Sequence, residues 1–517
     1  MDQPSTRAER AGLGGFSTLL AAGVAGASTM IAELSATRLL APWFGASIHA
    51  WTHVIATVLG AMAVGYAIGS RLAARACARV VVRAWLTGAI LLGIAPFVAP
   101  HLAPALVPPP ESQTPLTIAS DAAWGSFVTT LLLFAPALLM LGISTPILMR
   151  LHAGEHGGDG AAGRILAAST IGSLVGTYLP AFVLLEHVGS RGSILVAAAG
   201  CVVAAGLVSF SASRSVGTLV LGLAGLFLCP EVPWPTLVPS DGAQTLVAEH
   251  ESAYQYVRVA TTPVGDDVAT HLSLDEGRGE FHSRKLEKHP TTGAYYDLLA
   301  VVPDLVPGAM AVDVLVLGGG AGTLRGLLRS VRPDRVGSVT DVELDPVVAG
   351  MSWRFGGFPT GEDRVVIGDG RAALRSLRGP FDVIVLDAYA RQAAIPAHMG
   401  TVEAFTLMKD RLTRRGIVAV NASLADVESP LGKALTATLL QVFPEVKTVG
   451  IPGSWNVQFL AGPGLPPTPD IKDRGDALDT ARAWMRAGWS THAKASADAR
   501  ILTDDCAPLE TLARQVR

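Results

Sequence analysis

Long apolar stretches fill the first 230 residues of the chain, and short loops that carry arginines separate them. A helix needs about 20 apolar residues to cross a bilayer. The pattern therefore predicts a transmembrane domain over residues 1–230, an α-helical bundle of about seven membrane segments. The predicted segments are 14–41, 50–70, 84–106, 122–149, 165–187, 192–212 and 215–230.

Arginines predict the orientation of this domain. Four of them lie in residues 71–83, whereas the loops at 42–49 and 107–121 contain no lysine or arginine. Because basic residues accumulate on the cytoplasmic side, we expect the N-terminus and the 71–83 loop in the cytoplasm. Seven full crossings would place the C-terminal half outside. If the short segment at 215–230 does not cross, that half stays in the cytoplasm.

Two ionisable residues, Glu33 and Arg38, fall within or at the end of the first segment. Charged groups are costly there and are candidates for function. A structural hydrogen bond for Glu33 and an interfacial position for Arg38 account for them as well. The spacing of small residues also predicts close helix packing at four glycines, which are Gly65, Gly69, Gly172 and Gly176.

The pattern changes after a proline-rich connector at about residues 230–243. Alternating residues predict a β-hairpin subdomain, which together with the linker occupies 231–300. Apolar runs then alternate with helical segments, which predicts a Rossmann-like α/β domain over 301–517 with a parallel sheet covered on both faces. The predicted strands are 312–318, 336–344, 364–368, 381–388, 416–423, 446–451 and 456–462.

Composition agrees with a membrane protein of mixed architecture. Hydrophobic residues make up 50% of the chain and charged residues only 16%. The 40 basic and 43 acidic residues are nearly balanced, which gives no reason to expect a nucleic-acid partner. The 4 cysteines are widely spaced and form no CxxC pair, so no metal site is predicted.

Small and acidic residues follow the predicted strands in order. In such sheets, ligands bind beyond the carboxyl ends of the strands. A turn without Gly-x-Gly-x-x-Gly spacing favours an adenosyl cofactor without a pyrophosphate over NAD. The candidate site residues are Gly318, Gly319, Gly320 and Gly322 after the first strand, Glu343 after the second, Asp369 and Gly370 after the third, and Asp387 after the fourth.

The stretches "ESAYQYVRV", "TGAYYDLL", "LVLGGGAG", "VTDVELDP", "VVIGDGRAAL" and "FDVIVLDAY" resemble the motifs of spermidine synthases, the polyamine aminopropyltransferases. The apolar N-terminal half and the ending "ILTDDCAPLE" resemble the branch of that family that is fused to transmembrane helices. Members bind decarboxylated S-adenosylmethionine. An amine of a polyamine such as putrescine attacks its aminopropyl group, which releases methylthioadenosine.

The resemblance also implies roles for single residues. Gln255 and Tyr296 are expected to contact the donor, together with the glycine turn and Gly370. Glu343 is expected to bind the ribose, and Asp369 the adenine. Tyr295 would line the polyamine groove. Asp387 would contact the acceptor and act as the catalytic base that removes a proton from its amine.

This chain departs from the family at three places. Ala321 stands where members carry an aspartate that binds the aminopropyl ammonium, and Ala390 replaces a second aspartate. A glutamine of the hairpin has no counterpart, since Gly279 or His282 falls near its place. Carboxylates from elsewhere could compensate, and the candidates are Asp275, Asp297, Asp504 and Asp505.

These departures leave three functions open. The first is a membrane-anchored aminopropyltransferase. The second is a methyltransferase or another enzyme that uses intact S-adenosylmethionine, and the third is a polyamine-binding transporter or sensor without turnover. The resemblance implies no metal and allows a homodimer. Since adenosyl donors are made in the cytoplasm, we expect a multi-pass protein of a bacterial-type inner membrane with a cytoplasmic C-terminal domain.

Overall fold

The structure is a computed structural model. It describes residues 15–45, 48–74, 77–106, 115–156, 160–212, 236–238, 243–275, 281–308, 311–389, 395–424, 426–467, 471–489 and 495–513. The chain divides into two compact units. The helical unit comprises residues 1–113, 120–239 and 251–256, and the α/β unit comprises 114–119, 240–250 and 257–517.

The helical unit consists of long apolar helices joined by short loops. Its helices are α1 (Gly15–Phe44), α2 (Ile48–Leu72), α3 (Ala78–Ala105), α4 (Pro115–His156), α5 (Ala161–Leu179) and α6 (Leu185–Ala212), with a π-helical turn at Pro180–Leu184. Five helices of the described residues are long and apolar enough to cross a membrane.

The predicted number of seven segments is not confirmed. The structure joins the predicted segments 165–187 and 192–212 into one helical stretch, Ala161–Ser209, which includes a π-helical turn at Pro180–Leu184. The backbone of Gly189 is not helical, with φ of 67° and ψ of −176°, so this stretch contains a sharp kink. The predicted segment 215–230 lies outside the described residues.

Glycines bring the helix backbones close together, as their spacing predicts. A Cβ atom on Gly65 would lie 2.6 Å from the carbonyl oxygen of Leu139 in α4. Likewise, a Cβ on Gly176 would lie 2.6 Å from the Cα of Ala27 in α1. No real Cβ atom tolerates such contacts, so only glycine permits α2 to pack on α4 and α5 on α1 at these distances.

Arg38 has a structural partner in the helical unit. Its guanidinium donates hydrogen bonds to the carbonyl oxygens of Ser252, at 2.6 Å, and of Tyr254. The neighbouring Glu251 accepts hydrogen bonds from the backbone N–H of Ser190 and, at 2.6 Å, from its hydroxyl, just after the kink in α6. These charged groups therefore satisfy the polar backbone of the turn at 252–254 and of the kink.

The α/β unit begins with a four-stranded sheet in the order β1-β2-β3-β4. Antiparallel pairing of β2 with β3 and of β3 with β4 gives a meander, and Gly265, with φ of 62°, lies in the first of its turns. The strands are β1 (Thr245–Glu251), β2 (Tyr256–Val264), β3 (Asp267–Leu274) and β4 (Ser283–Leu286).

A seven-stranded sheet forms the centre of the α/β unit, in the order β10-β11-β9-β8-β5-β6-β7. Strands β7, β6, β5, β8 and β9 are parallel, and β11 runs antiparallel to β9 and β10. The strands are β5 (Val312–Leu317), β6 (Val336–Glu343), β7 (Arg364–Ile367), β8 (Phe381–Leu386), β9 (Leu412–Ser423), β10 (Val446–Gly450) and β11 (Asn456–Ala461). This arrangement confirms the predicted Rossmann-like domain.

Short helices connect and cover these strands. They are α7 (Tyr295–Leu299), α8 (Val302–Leu305), α9 (Thr323–Val331), α10 (Pro346–Gly350), α11 (Gly370–Ser376), α12 (Val402–Asp410), α13 (Pro430–Val442), α14 (Asp479–Gly488) and α15 (Leu509–Ala513), with 3₁₀ turns at Ser352–Phe355 and Ala397–Met399.

The central strands are apolar on both faces because each face has its own core. In β8, Val383 and Val385 belong to one hydrophobic cluster, whereas Ile384 and Leu386 belong to the other. Successive side chains of a strand point to opposite faces, so a continuous apolar run is what a doubly covered strand requires. The chain order reverses between β5 and β8, and a ligand site is expected beyond their carboxyl ends.

Candidate functional site

The glycine-rich turn after β5 passes directly beside the end of β8. Gly318, Gly320 and Gly322 have φ of 90°, 53° and 75°, a region that residues with a side chain rarely adopt. A Cβ on Gly318 would lie 2.5 Å from the carbonyl oxygen of Asp387. The backbone of the turn therefore contacts the backbone that follows β8. Glycine is needed at position 318 because of its positive φ and because a side chain would not fit.

Glu343, at the end of β6, is held by the same turn. Its Oε2 accepts a hydrogen bond of 2.8 Å from the N–H of Gly320, and its Oε1 accepts one of 3.0 Å from the N–H of Asp345. Burial raises the pKa of the Glu343 carboxyl group above its ordinary value. A carboxylate has lone pairs beyond these two bonds, so the oriented group can accept further hydrogen bonds from a ligand.

Asp369 immediately precedes α11 and caps its N-terminus. Its Oδ1 accepts a hydrogen bond of 2.9 Å from the N–H of Ala372, and its Oδ2 lies 2.8 Å from Nε2 of His398. The following Gly370 approaches Met399, whose Cε would lie 3.1 Å from an added Cβ. The pairing with His398 was not predicted, because no strand-end pattern points to a 3₁₀ turn 29 residues further on.

Asp387 follows β8 and has two side-chain partners. Its Oδ1 accepts a hydrogen bond of 2.7 Å from Nδ2 of Asn421, and its Oδ2 accepts one of 3.0 Å from the hydroxyl of Tyr295. Burial raises the pKa of Asp387 to about 7. A carboxyl group with this pKa can gain and lose a proton near neutral pH, as a general base must.

Asn421, in β9, is a residue that the sequence analysis missed. Its Oδ1 accepts hydrogen bonds from Nε2 of Gln458, at 2.6 Å, and from Nδ2 of Asn456, at 3.1 Å. Because two donors occupy the oxygen, the amide nitrogen must face Asp387. An asparagine within the otherwise apolar run "GIVAVNAS" was the available signal, since buried polar groups need partners.

Tyr295 and Tyr296 open α7 with stacked rings, whose centroids lie 4.1 Å apart. The hydroxyl of Tyr295 reaches Asp387, whereas the hydroxyl of Tyr296 donates a hydrogen bond of 2.7 Å to the carbonyl oxygen of His282. The structure thus brings Tyr295 to the candidate base. Tyr296 binds the backbone of the residue just before β4. Its contact with a donor stays a prediction.

A cavity of about 300 Å³ lies beside Tyr295 and Asn421. Aromatic and small polar side chains predominate in its wall. The lining residues are Phe281, His282, Arg284, Gly293, Ala294, Tyr295, Tyr389, Asn421, Ser423, Ile451, Pro452, Gly453, Ser454, Trp455, Asn456 and Trp484.

Ala321 lies in a hydrophobic cluster and is fully buried. Val257, Val259 and Phe355 belong to the same cluster. The N–H of Ala321 donates a hydrogen bond of 3.0 Å to the hydroxyl of Ser283. The side chain of Ala321 is therefore apolar and packs among apolar residues. Ala390, the counterpart of the second family aspartate, lies outside the described residues.

The carboxylates considered as replacements do not line the cavity in the described part of the chain. Asp297 accepts hydrogen bonds from Thr292 and from the N–H of Gly293, and Asp504 forms an ion pair with Arg371 at 2.6 Å. Neither Asp275 nor Asp505 is among the lining residues that are described. Gln255 lies in residues 251–256, which belong to the helical unit, so its donor contact also stays a prediction.

A glycine turn and acidic residues at successive strand ends around a switch point define a Rossmann-type α/β domain with a site at its carboxyl edge. Residues 294–453 match the spermine/spermidine synthase domain. This match lies within the α/β unit and agrees with the motifs of the sequence.

Several curated proteins resemble this chain. A probable polyamine aminopropyl transferase of Bifidobacterium longum is 28% identical over 288 residues, which cover 52% of this chain and 62% of that protein. Polyamine aminopropyltransferase 1 of Streptomyces coelicolor is 28% identical over 301 residues, 55% of this chain and 56% of the relative. The polyamine aminopropyltransferase of Mycobacterium tuberculosis is 27% identical over 372 residues, 66% and 68% of the two chains.

The alignments thus span less than two thirds of the first two relatives. Among solved structures, a probable spermidine synthase from Corynebacterium glutamicum aligns with 50% of this chain and 97% of its own, at 19% identity and a TM-score of 0.40.

Proposed function

We propose that this protein is a membrane-anchored aminopropyltransferase, which moves the aminopropyl group of decarboxylated S-adenosylmethionine to an amine such as putrescine. The observation that carries the proposal is the position of Asp387. This carboxyl group lies at the switch point, is oriented by Asn421 and Tyr295, and has a pKa of about 7. The match to the spermine/spermidine synthase domain and the names of the relatives support the same reaction.

The donor would lie across the carboxyl ends of β5, β6 and β7. The glycine turn leaves room for it, Glu343 would accept hydrogen bonds from the ribose hydroxyls, and Asp369 would accept one from the adenine amino group. Leu344 and Ile367, which are 45% and 49% exposed, flank these acids. A purine base packed against them would bury apolar surface.

The transfer requires little chemistry from the protein. The neutral acceptor nitrogen attacks the methylene carbon bound to the sulfonium, a C–N bond forms, and the C–S bond breaks. Its electron pair goes to sulfur, which gives methylthioadenosine. The proton of the attacking nitrogen passes to Asp387. Alignment of the two reactants and one base with a pKa near the working pH are sufficient for this step.

Ala321 favours a second candidate, a methyltransferase that uses intact S-adenosylmethionine. The turn supplies no carboxylate at this position, and the alanine side chain packs among apolar residues. No charge from this position would therefore repel the carboxylate of the intact donor. In methyl transfer the acceptor would attack the methyl carbon, and the product would be S-adenosylhomocysteine.

Analysis of the adenosyl product distinguishes these functions. Purified full-length protein is incubated in detergent with putrescine and with either the decarboxylated or the intact donor. We expect methylthioadenosine in the mass spectrum. S-adenosylhomocysteine would instead support methyl transfer. Neither product, with donor bound at equilibrium, would contradict both enzymes and favour a sensor or transporter.

The membrane anchoring is a proposal as well. Five described helices are long and apolar enough to span a bilayer, and the donor is a cytoplasmic metabolite. We therefore place the helices in the inner membrane and the α/β unit in the cytoplasm. Alkaline phosphatase fused after Arg517 should be inactive and a fused fluorescent protein should be bright. Active phosphatase would contradict this orientation.

A further inference from the structure

The described lining residues of the cavity beside Tyr295 supply no negative charge to bind a cationic ligand, although Asp387 lies behind Tyr295 and Asn421. Arg284 is the one formally charged side chain among its described lining residues, and none of them is an aspartate or a glutamate. His282 also lines the cavity, and burial lowers its pKa to about 4, so it is neutral near pH 7. A polyamine would bring two or more positive charges to this wall.

Arg284 has an incomplete set of partners. Its Nε is buried and has no hydrogen-bond partner among the described residues. Its guanidinium lies over the ring of Phe281, with Cζ 5.2 Å from the ring centroid. Burial lowers the pKa of Arg284, although a guanidinium still keeps its charge. A buried donor without a partner is costly, so a ligand that accepts from Arg284 would be favoured.

Asp297 interacts with Arg284 by its charge, but its carboxylate oxygens are occupied by other donors. Its negative charge raises the pKa of Arg284, against the larger effect of burial. However, its Oδ1 accepts from the N–H and the hydroxyl of Thr292, at 2.8 and 2.7 Å, and its Oδ2 accepts from the N–H of Gly293 at 2.8 Å. Within the described residues, no carboxylate oxygen lies within 4.0 Å of the Arg284 guanidinium. The guanidinium of Arg284 can therefore bind an anionic group of a ligand in this cavity.

We propose that Arg284 binds a carboxylate of one reactant, so that this site selects a reactant pair with a carboxylate over the purely cationic pair. A planar guanidinium matches a carboxylate with two parallel hydrogen bonds. The carboxylate could belong to the acceptor, as in an amino acid with a second amine, or to the intact donor. The inference rests on the proposed transfer reaction and narrows its reactants.

The chemistry of the step is unchanged by the carboxylate. The acceptor nitrogen forms a bond to the methylene carbon next to sulfur, the C–S electron pair leaves with methylthioadenosine, and Asp387 takes the proton. With an amino acid acceptor the product is its N-aminopropyl derivative. With the intact donor the transferred group is aminocarboxypropyl. Arg284 is in either case a specificity-determining residue that touches no reacting atom.

Two matched pairs of reactants test this proposal. L-Ornithine and putrescine differ by one carboxylate, and so do intact and decarboxylated S-adenosylmethionine. The full-length protein is assayed in all four combinations, with methylthioadenosine and the mass of the transfer product as readouts. Equilibrium binding of each reactant is measured in parallel. We expect roughly a tenfold to hundredfold advantage in kcat/KM for one carboxylate-bearing reactant, the size of a charge-assisted hydrogen bond.

Variants of Arg284 identify the cause of any preference. Arg284→Gln should abolish the advantage, and Arg284→Lys should keep part of it. Arg354→Gln is the matched control, because Arg354 lies 4.3 Å from the ring centroid of Trp353 and does not line the cavity. If putrescine with the decarboxylated donor is the best pair and Arg284→Gln leaves that ranking unchanged, the proposal is wrong.

The two proposals can fail separately. Methylthioadenosine without a carboxylate preference contradicts the role of Arg284 alone. If no combination yields methylthioadenosine, the proposed function is wrong. The equilibrium binding measurements then test the role of Arg284 on their own. Tighter binding of ornithine or of the intact donor than of its decarboxylated partner, lost in Arg284→Gln, supports the carboxylate site. Equal binding of both members of each pair rejects it.

Discussion

The side-chain amide of Asn421 donates a hydrogen bond of 2.7 Å to the carboxylate of Asp387, across two neighbouring strands of the sheet. Gln458 fixes the opposite end of that amide through a bond of 2.6 Å. The candidate base is thus oriented before any ligand binds. Its pKa results from burial, which raises it, and from the bonds of Asn421 and Tyr295, which lower it.

Removing either bond should therefore raise the pKa of Asp387 further. In Asn421→Ala and in Tyr295→Phe, we expect the midpoint of the rising limb of kcat/KM against pH to move above its wild-type position near 7, because the charged carboxylate loses a donor. The rate at pH 7 should fall roughly tenfold. Asp334→Asn, an exposed change before β6, is the control. An unchanged midpoint in both variants would contradict this role.

The raised pKa of Asp387 also predicts how stability depends on pH. The folded protein binds the proton up to about pH 7, whereas the unfolded chain releases it near pH 4. The stabilisation that the protonated group provides is complete below pH 4 and is lost as the pH rises to 7. Asp387→Asn should therefore be more stable than the wild type at pH 8, and the difference should shrink toward pH 4. Thermal unfolding at several pH values measures this, and a difference independent of pH would contradict it.

Glu343 should determine donor affinity. In Glu343→Gln the side chain keeps one acceptor oxygen in place of two, so it cannot bind the N–H groups of Gly320 and Asp345 and also both ribose hydroxyls. We expect donor binding to weaken by about tenfold or more, as measured by isothermal titration calorimetry. Asp334→Asn, an exposed change before β6, should bind the donor normally. If Glu343→Gln binds the donor with wild-type affinity, Glu343 does not bind the ribose hydroxyls.

Close packing of α5 on α1 should depend on Gly172. A Cβ at this position would collide with the backbone of Gly23, whereas a Cβ on Gly163 in the same helix would meet nothing within 4 Å. Gly172→Ala should lower the unfolding temperature in detergent, and Gly163→Ala should leave it unchanged or raise it, since alanine favours helix. Equal behaviour of the two variants would show that this contact is not needed.

Patterns that act along the chain predicted most of the fold. The apolar runs at 312–318 and 381–388 correspond to β5 and β8, because a strand buried on both faces must be continuously apolar. The carboxyl ends of parallel strands share one edge, so the sequence alone assigns Glu343, Asp369 and Asp387 to that edge.

Other features depend on contacts that no local pattern contains. Asn421 reaches Asp387 only because β9 pairs with β8, and its orientation depends on Gln458 in β11. The two predicted segments 165–187 and 192–212 form one helical stretch that kinks at Gly189 between them. The sequence identifies Ala321 as a departure from the family, but its burial among hairpin and Rossmann residues depends on tertiary packing.

The release of methylthioadenosine by the wild type and by Asp387→Asn tests the central claim most directly. Both proteins are incubated with decarboxylated donor and with a panel that includes putrescine and ornithine. The wild type should release methylthioadenosine, and Asp387→Asn should do so about 10²- to 10⁴-fold more slowly, which is the usual contribution of a general base. Asp334→Asn should match the wild type. Full activity in Asp387→Asn would contradict the assignment of this carboxylate as the base.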